Sequence, residues 1–400
     1  MELRTSFRYL APAARVHVGS GALSQLHEEA KRAGARRAFV IASNTLSQTT
    51  DLVEKVKVAL GELYAGLYDG AKRESPIATV LAGAEAVKAA QPDLIVAVGG
   101  GSAIVTARAI TIIVGEGKSL EEMYTRHVPG QPPRVYRANK PKIPNIQVAT
   151  TPTTAADRGG CAIYDETPPH RKEIFDPKTR PIAIFVDPEA LLTAPAALYL
   201  DTCLTTLVGL IGSLQSDQLS AFSYADYRQA LELCLTYLPQ LRDRPDDPHV
   251  RVQLFLATLL VNRASQSTYN VRGLSKTNGL ERIIHYQYPA IGQGAANAVM
   301  LATNLRTNKY INTQMQAFLA EQLGVRRPGI SDEDAAELAV LYVETFLRSL
   351  GVATRLRELN LPKDDCRRLA ELDAVSPAFG QGLNRVTDVE ELVGILEMAW

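Results

Sequence analysis

The chain has 400 residues, which is too long for one hydrophobic core and predicts two domains. Hydrophobic residues make up 46% of the sequence and charged residues 22%, as in ordinary soluble globular proteins. Lysine plus arginine balances aspartate plus glutamate at 43 each, so no basic field exists to attract nucleic acid. We therefore expect a small-molecule ligand and neither nucleic acid nor a membrane as a partner.

The sequence also predicts a cytoplasmic location. No apolar run reaches the length needed to cross a membrane, and residues 1–21 lack the apolar segment of a signal peptide. The four cysteines contain no C-x-x-C pair, which argues against a disulfide framework and against a zinc knuckle. They are Cys161, Cys203, Cys234 and Cys366.

The first half of the chain alternates strand-like and helix-like segments. The predicted strands are 36–43, 63–70, 94–98, 145–154 and 181–188. The predicted helices are 51–63, 77–90 and the segment that follows residue 102. This alternation is typical of a parallel sheet with helices on both faces, so residues 1–188 are predicted to form a Rossmann-like α/β domain that binds a dinucleotide.

After residue 188 almost every segment has helical spacing and strand signals nearly vanish. Residues 189–400 are therefore predicted to form an all-helical substrate domain. Within it, residues 240–251 are predicted to be an exposed polar loop between helices. A cleft between a nucleotide-binding sheet and a helical domain is a usual place for a substrate.

Three consecutive glycines lie between the predicted strand at 94–98 and the predicted helix that follows it. Gly99, Gly100 and Gly101 let backbone approach a ligand closely, and Ser102 follows them at the start of the helix. Free N–H groups at a helix start favour an anion such as phosphate. The alternative is a tight turn that only reverses the chain, but one glycine would suffice for that. The spacing differs from the G-x-G-x-x-G fingerprint.

Several segments together resemble the iron-containing alcohol dehydrogenases, whose relatives include the maleylacetate reductases and the dehydroquinate-synthase-like fold. The resemblance runs over essentially the whole chain. It is carried by VGSGAL (18–23), DLIVAVGGGSAIVTARAI (93–110), TTPTTAADRGG (150–160), LDTCLTTLVG (200–209), GQGAANAVML (292–301) and NRVTDVEELVGIL (384–396). The family implies an α/β domain followed by an all-α domain, and a homodimer.

The resemblance implies a nicotinamide cofactor with its pyrophosphate over the glycine turn, Gly99 to Ser102. Thr151, Thr153 and Thr154 would line the other side of that cofactor, and the alternative for them is a strand end that caps a helix. Near the adenine ribose, Ser43 and Asn44 stand where a carboxylate is usual. Loss of that carboxylate removes the main repulsion against a 2′-phosphate, so NADPH is expected to be at least as probable a cofactor as NADH.

Other departures from the family surround this loop. Val105 and Arg108 stand in the helix where the family usually has an aspartate and a lysine. Asp157 and Arg158 stand where it tends to have small residues, which predicts a reshaped nicotinamide end.

The family's divalent metal is expected to be absent. It is usually held by one aspartate and three histidines in the helical domain, whereas the corresponding places here hold Asp201, Thr205, Arg282 and Gln293. Only two of the six histidines, His249 and His285, lie beyond residue 188, so a three-histidine site there is impossible. Iron and zinc favour imidazole and thiolate, and a guanidinium repels a cation. We interpret Asp201, Thr205 and Gln293 as substrate-pocket residues at a vestigial metal site.

Without a metal, another group must polarise a carbonyl and deliver a proton. Arg282 is predicted to stabilise an oxyanion or hold a substrate carboxylate, and His285, Tyr286 and Tyr288 are candidate general acids. The alternative for His285 is a hydrogen-bonded helix residue. Arg272 and Lys276 would add positive charge for an acidic substrate, or belong to a solvated loop.

These residues predict a metal-independent, NAD(P)H-dependent reductase of a small carbonyl or keto acid, with hydride transfer in the interdomain cleft. One alternative is a repurposed member with non-redox chemistry, such as a lyase, cyclase or isomerase. Another is a non-catalytic nucleotide-binding protein, because fold constrains the cofactor better than the reaction.

Overall fold

The computed structural model describes residues 3–9, 13–126, 134–167, 170–265, 279–376 and 386–400. The chain forms two compact units. The α/β unit consists of Pro12–Ala196 with Asp246–Phe255. The helical unit consists of Met1–Ala11, Ala197–Pro245 and Leu256–Trp400.

Six parallel strands form the sheet of the α/β unit, in the order β1-β8-β5-β4-β2-β3. Their bounds are Arg15–Val18 (β1), Ala38–Ile41 (β2), Tyr64–Tyr68 (β3), Leu94–Gly99 (β4), Asn145–Ala149 (β5) and Ala183–Val186 (β8). A separate antiparallel hairpin joins Gly160–Tyr164 (β6) to Arg171–Phe175 (β7). Every residue of β2, β4, β5 and β8 is buried, which explains why these strands are continuous apolar runs in the sequence.

Helices of the α/β unit cover both faces of this sheet. They are Leu26–Arg32 (α1), Asn44–Thr49 (α2), Leu52–Leu60 (α3), Ile77–Ala90 (α4), Gly101–Glu116 (α5), Leu120–Met123 (α6) and Pro188–Leu192 (α7). Val40 and Val96 pack in one core with the apolar sides of α1 and α3. The connections through α4 and α5 run across the sheet in the opposite sense to the one through α3, so right-handed crossovers place them on the opposite face.

The connections diverge between two neighbouring strands, β2 and β4. From β2 the chain leaves towards β3 at one edge, and from β4 it leaves towards β5 in the other direction. A parallel sheet opens a crevice at the carboxyl ends of the strands where its connections diverge in this way, and ligands bind there. The glycine turn after β4 and the Ser43 segment after β2 therefore flank the expected binding crevice.

The predicted fold class is confirmed, and the strand and helix positions agree closely; the helix predicted at 77–90 is α4 itself. Strand β1 and the β6–β7 hairpin were not predicted. Strand β1 has four residues at an edge of the sheet, and β7 has the sequence RKEIF, so neither shows an apolar run. Their pairing depends on partners distant in sequence.

The helical unit contains eight helices in the described part of the chain. They are Ala196–Leu214 (α8), Ala221–Asp243 (α9), Pro248–Ala264 (α10, helical unit from Leu256), Leu280–Gln287 (α11), Gln293–Gln322 (α12), Asp332–Ser349 (α13), Cys366–Val375 (α14) and Val389–Ala399 (α15). Side chains of α11, α12, α14 and α15 share one core. This core holds α11 and the start of α12 in place.

Helix α8 corrects the expectation that no apolar run is long enough to cross a membrane. By length and composition alone, this 19-residue helix meets that requirement. Half of its apolar window is buried inside the protein, and core helices of soluble proteins meet the same criterion.

The exposed loop predicted at 240–251 is present but shorter, and the prediction is wrong at both ends. Helix α9 continues to Asp243 and α10 begins at Pro248, which leaves only four residues between them. Arg251 is among the largest fully buried side chains, and its guanidinium donates to the backbone carbonyls of Leu191 and Ala194. A polar sequence was misread as exposed because buried carbonyl groups satisfy this arginine.

Candidate functional site

The glycine turn joins β4 to α5 with a backbone that side chains would obstruct. Gly99 has a φ of +139°, and α5 begins two residues later at Gly101. A Cβ atom on Gly100 would lie 2.9 Å from Thr151 Oγ1, and one on Gly101 would lie 2.7 Å from Thr153 Oγ1. Glycine is needed here because the threonine segment packs directly on the turn.

The first residues of α5 present backbone N–H groups at the carboxyl end of the sheet. No side chain of the described residues caps this helix, and its first N–H groups have no partner within the helix. Ser102 is held from both sides: its Oγ accepts from the Glu74 N–H at 3.2 Å, and its carbonyl accepts from the Ser75 hydroxyl at 2.9 Å. The turn thus combines a fixed serine with N–H groups that suit an anion.

The threonine segment, Thr150–Thr154, contains one buried hydroxyl without a hydrogen-bond partner among the described residues, that of Thr151. Thr150 N–H donates to the Gly99 carbonyl at 3.1 Å, and Thr153 Oγ1 accepts from the Ala155 N–H at 3.0 Å. Thr151 is only 2% exposed, and its Oγ1 has no hydrogen-bond partner among the residues that the structure describes. A buried hydroxyl without a partner, beside a glycine turn, fits a phosphate oxygen as its missing acceptor.

A buried arginine, Arg108, and a half-buried one, Arg180, hold the loop that follows the threonine segment. Arg108, on α5, donates to the Ala155 carbonyl at 2.6 Å and to the Gly160 carbonyl at 2.7 Å. Arg180 donates to the Asp157 carbonyl at 2.8 Å. Burial lowers the pKa of Arg108 to about 10, so the guanidinium stays charged at neutral pH. Arg108 therefore ties the helix of the glycine turn to the loop beyond the threonines.

The end of β2 carries the two residues predicted for the adenine-ribose end. Ser43 caps α2 by accepting from the Leu46 N–H at 3.2 Å. The Asn44 amide donates to Asp69 Oδ2 at 3.1 Å, and the Ser47 hydroxyl donates to the same oxygen at 2.8 Å. Sequence reasoning missed Asp69, although it directly follows β3, the strand beside β2.

In the helical unit, Asp201 supports the start of α12. Its Oδ1 accepts the backbone N–H of Ala295 at 2.9 Å. A Cβ on Gly292 would lie 2.1 Å from that same oxygen, so the two helices meet through glycine. Thr205, one turn later on α8, donates to the Asp201 carbonyl at 3.5 Å. Gln293 is the first residue of α12, beside this contact.

Helix α11 carries the three predicted catalytic residues, Arg282, His285 and Tyr286, three and four residues apart on neighbouring turns. His285 is 4% exposed, and its Nδ1 lies 2.7 Å from the Ile291 carbonyl oxygen. Donation to that carbonyl requires a hydrogen on Nδ1, so proton exchange with a ligand would involve Nε2. The structure thus brings His285 to the segment that precedes Gln293. Tyr288, the fourth candidate, donates to Asp365 instead. Arg272 and Lys276 lie outside the described residues.

The donor atoms around Asp201 do not fit an iron or zinc ion. Asp201 already accepts a backbone N–H, while Thr205 and Gln293 offer a hydroxyl and an amide. Arg282 would bring a positive charge. Across the described ranges, no group of three His, Cys, Asp or Glu side chains is placed to hold a metal ion. These side chains lack the imidazoles that such metals prefer.

Comparisons with known proteins agree with this architecture. Residues 13–188 match the family model "Iron-containing alcohol dehydrogenase", and residues 219–400 match "Fe-containing alcohol dehydrogenase family, C-terminal". The chain is 25% identical over 394 residues to the NAD-dependent methanol dehydrogenase of Bacillus methanolicus, covering 98% of this chain and 99% of that protein. It is 28% identical over 387 residues to the lactaldehyde reductase of Escherichia coli K12, covering 96% and 97%. A crystal structure of 1,3-propanediol oxidoreductase superposes with a TM-score of 0.85 at 24% identity, covering 99% of this chain and 100% of that one.

Proposed function

This protein belongs to the iron-containing alcohol dehydrogenase family, an oxidoreductase family, and on that premise we propose that it is a metal-independent, NAD(P)H-dependent reductase of a small carbonyl or keto-acid substrate. The observation that carries the proposal is the cradle formed by the glycine turn and the buried, unpartnered hydroxyl of Thr151. The names of the relatives, a methanol dehydrogenase and a lactaldehyde reductase, support small alcohols and aldehydes as the substrate class.

The α/β unit would bind the cofactor through backbone groups. The N–H groups at the start of α5 and the hydroxyls of Ser102 and Thr151 would hold the pyrophosphate, since neutral donors suffice where a helix N-terminus adds its dipole. Thr153 and Thr154 would bound the other side of the site. The bound dinucleotide would supply a hydride from its reduced nicotinamide ring.

The helical unit would polarise the carbonyl and deliver the proton. Arg282 would stabilise the negative charge that develops on the substrate oxygen, or hold a carboxylate by two parallel hydrogen bonds. His285, with Nδ1 donating to Ile291, would supply the proton from Nε2 as the general acid when both ring nitrogens carry hydrogen, assisted by Tyr286. Asp201, Thr205 and Gln293 would line the substrate pocket.

Metal independence rests on the donor set. Asp201 serves as the acceptor for the Ala295 N–H, and the neighbouring Thr205, Gln293 and Arg282 supply no imidazole or thiolate. We also propose that the protein is cytoplasmic and forms a homodimer. Light scattering of the purified protein measures its molar mass and so tests the homodimer.

The experiment is a titration of EDTA-treated protein with NADH and with NADPH, followed by cofactor fluorescence, and then turnover of small aldehydes and keto acids. Tight binding and turnover in metal-free protein would support the reductase. Tight binding with no turnover of any carbonyl would favour non-redox chemistry. Failure to bind either nucleotide would refute the proposal and leave the glycine turn as a structural feature.

A further inference from the structure

The carboxylate that the end of β2 lacks is supplied by the neighbouring strand. Asp69 directly follows β3, which pairs with β2 in parallel, so the carboxyl ends of the two strands lie side by side. Both hydrogen bonds described above, from Asn44 and Ser47, reach Asp69 Oδ2. They fix the side chain beside the adenine-ribose residues and leave Oδ1 to accept a further hydrogen bond.

The position of the crevice places this carboxylate near the nucleoside. The pyrophosphate site at the start of α5 follows β4, and β2 lies between β4 and β3 in the sheet. Suppose that a dinucleotide binds with its phosphates over the glycine turn and its adenosine half extending away from β5. Its adenosine half must then cross the end of β2. Its adenine ribose then lies over Ser43 and Asn44, with Asp69 next to them.

We propose that Asp69 is the residue that selects NADH over NADPH, which rests on the proposed function because it requires the cofactor to bind at this turn. Asp69 Oδ1 would accept a hydrogen bond from a ribose hydroxyl. The same charged oxygen would repel the 2′-phosphate of NADPH, because like charges a few ångströms apart oppose binding.

Two cationic side chains near Asp69 would favour NADPH instead. Lys72 and Arg73 follow Asp69 in the same loop, and a 2′-phosphate would attract them. Arg73 Nε lies 3.8 Å from the carboxylate of Glu74, which offsets its charge, and both cationic side chains are exposed. Asp69 contacts the ribose-end residue Asn44 directly, so its charge acts at the shorter distance.

The test measures dissociation constants of NADH and NADPH for the wild-type protein and for Asp69→Asn. We expect the wild-type protein to bind NADH at least about tenfold more tightly, and Asp69→Asn to reduce that ratio about tenfold, mainly by tighter NADPH binding. The amide is isosteric, so folding is expected to be retained. Glu85→Gln, which removes an exposed carboxylate from α4, is the matched control and should leave the ratio unchanged.

The outcomes separate this inference from the proposed function. Wild-type protein that binds neither nucleotide would refute both. Wild-type protein that binds NADPH as tightly as NADH, or an Asp69→Asn ratio equal to the wild-type ratio, would overturn the role of Asp69 and leave the reductase proposal intact. A ratio that changes equally in Glu85→Gln would also overturn it, because a general surface-charge effect would then explain the preference.

Discussion

The proposed cofactor cradle and the proposed vestigial metal site are built in different ways. The cradle is formed by backbone: glycines at a strand–helix junction, helix N–H groups and one loop packed on them. The site around Asp201 depends on which side chains stand at a few positions, and the family resemblance implies that Thr205, Arg282 and Gln293 stand in place of metal ligands. A backbone site persists while its glycines remain, whereas a site made of side chains changes its chemistry with each substitution. Substitutions at a few positions can therefore change the chemistry of the Asp201 site without disturbing the cradle.

The largest effect is expected from breaking the cradle itself. Gly101→Val would force a side chain into Thr153 Oγ1, which lies 2.7 Å from the Cβ position, and so displace the threonine segment. We expect NADH affinity to fall at least about a hundredfold, because each hydrogen bond lost to the charged pyrophosphate costs about 1.5–3 kcal/mol and tenfold in affinity is about 1.4 kcal/mol. Calorimetric titration measures it.

Gly209→Ala in α8 is the control for this substitution, because nothing lies within 4 Å of its Cβ position. It should leave NADH affinity unchanged, since helix interiors favour alanine. Unchanged affinity in folded Gly101→Val would contradict the role of the cradle.

The helical unit is tested by His285→Gln. We expect kcat for carbonyl reduction to fall about a hundredfold, the range of general acid catalysis, while NADH affinity stays within about twofold. Steady-state kinetics with the pH profile of kcat separates this from a structural role. A lower melting temperature with an unchanged kcat would identify His285 as a hydrogen-bonded core residue, in keeping with its contact to Ile291.

A smaller effect is expected when helix α5 is no longer tied to the loop that follows the threonine segment. Arg108→Met would leave the carbonyls of Ala155 and Gly160 without their buried donor. We expect the free energy of unfolding to fall by about 2 kcal/mol and NADH affinity to fall about tenfold. Denaturation and titration measure both, with the exposed Arg367→Met as the control. Loss of stability without loss of affinity would restrict Arg108 to a structural role.

The smallest effect on cofactor binding is expected at the other end of α5, where Glu116 and Lys142 form a fully buried ion pair. Burial opposes ionisation, but hydrogen bonds from Lys142, Tyr136 and the Lys140 N–H outweigh it and lower the pKa of Glu116 to about 2. A depressed carboxyl pKa contributes stability above the ordinary value near 4.5, and this is lost as the pH falls towards 2.

Glu116→Gln should therefore flatten the dependence of stability on pH between about 4.5 and 2, in denaturation measured across that range. Glu85→Gln, at an exposed position, should keep the wild-type profile. An identical profile in Glu116→Gln would show that other carboxyl groups dominate the acid response.

The sequence predicted the features that depend on local chemistry. Buried parallel strands are continuous apolar runs, and the glycine triplet marks the strand–helix junction that forms the cradle. The family assignment, based on those segments, is confirmed. The predicted roles of Arg282, His285 and Tyr286 stay predictions.

The sequence did not predict what depends on contacts between distant segments. Asp69 lies beside Asn44 because β3 pairs with β2, and 25 residues separate them in the chain. Arg251 was misread because its buried acceptors lie 57 and 60 residues away in the chain. A sequence alone predicts that a polar residue is exposed, because its hydrogen-bond partner is unknown. That partner depends on which distant segments pack together.

We propose above that this family member reduces a carbonyl with a nicotinamide cofactor and without a metal. The most direct measurement is the metal content of the purified enzyme together with its rate of NADH oxidation by small aldehydes and keto acids, before and after EDTA dialysis and after addition of Fe²⁺ or Zn²⁺. We expect far less than one metal ion per chain and a rate that neither EDTA nor added metal changes. Stoichiometric metal with loss of activity on its removal would contradict it.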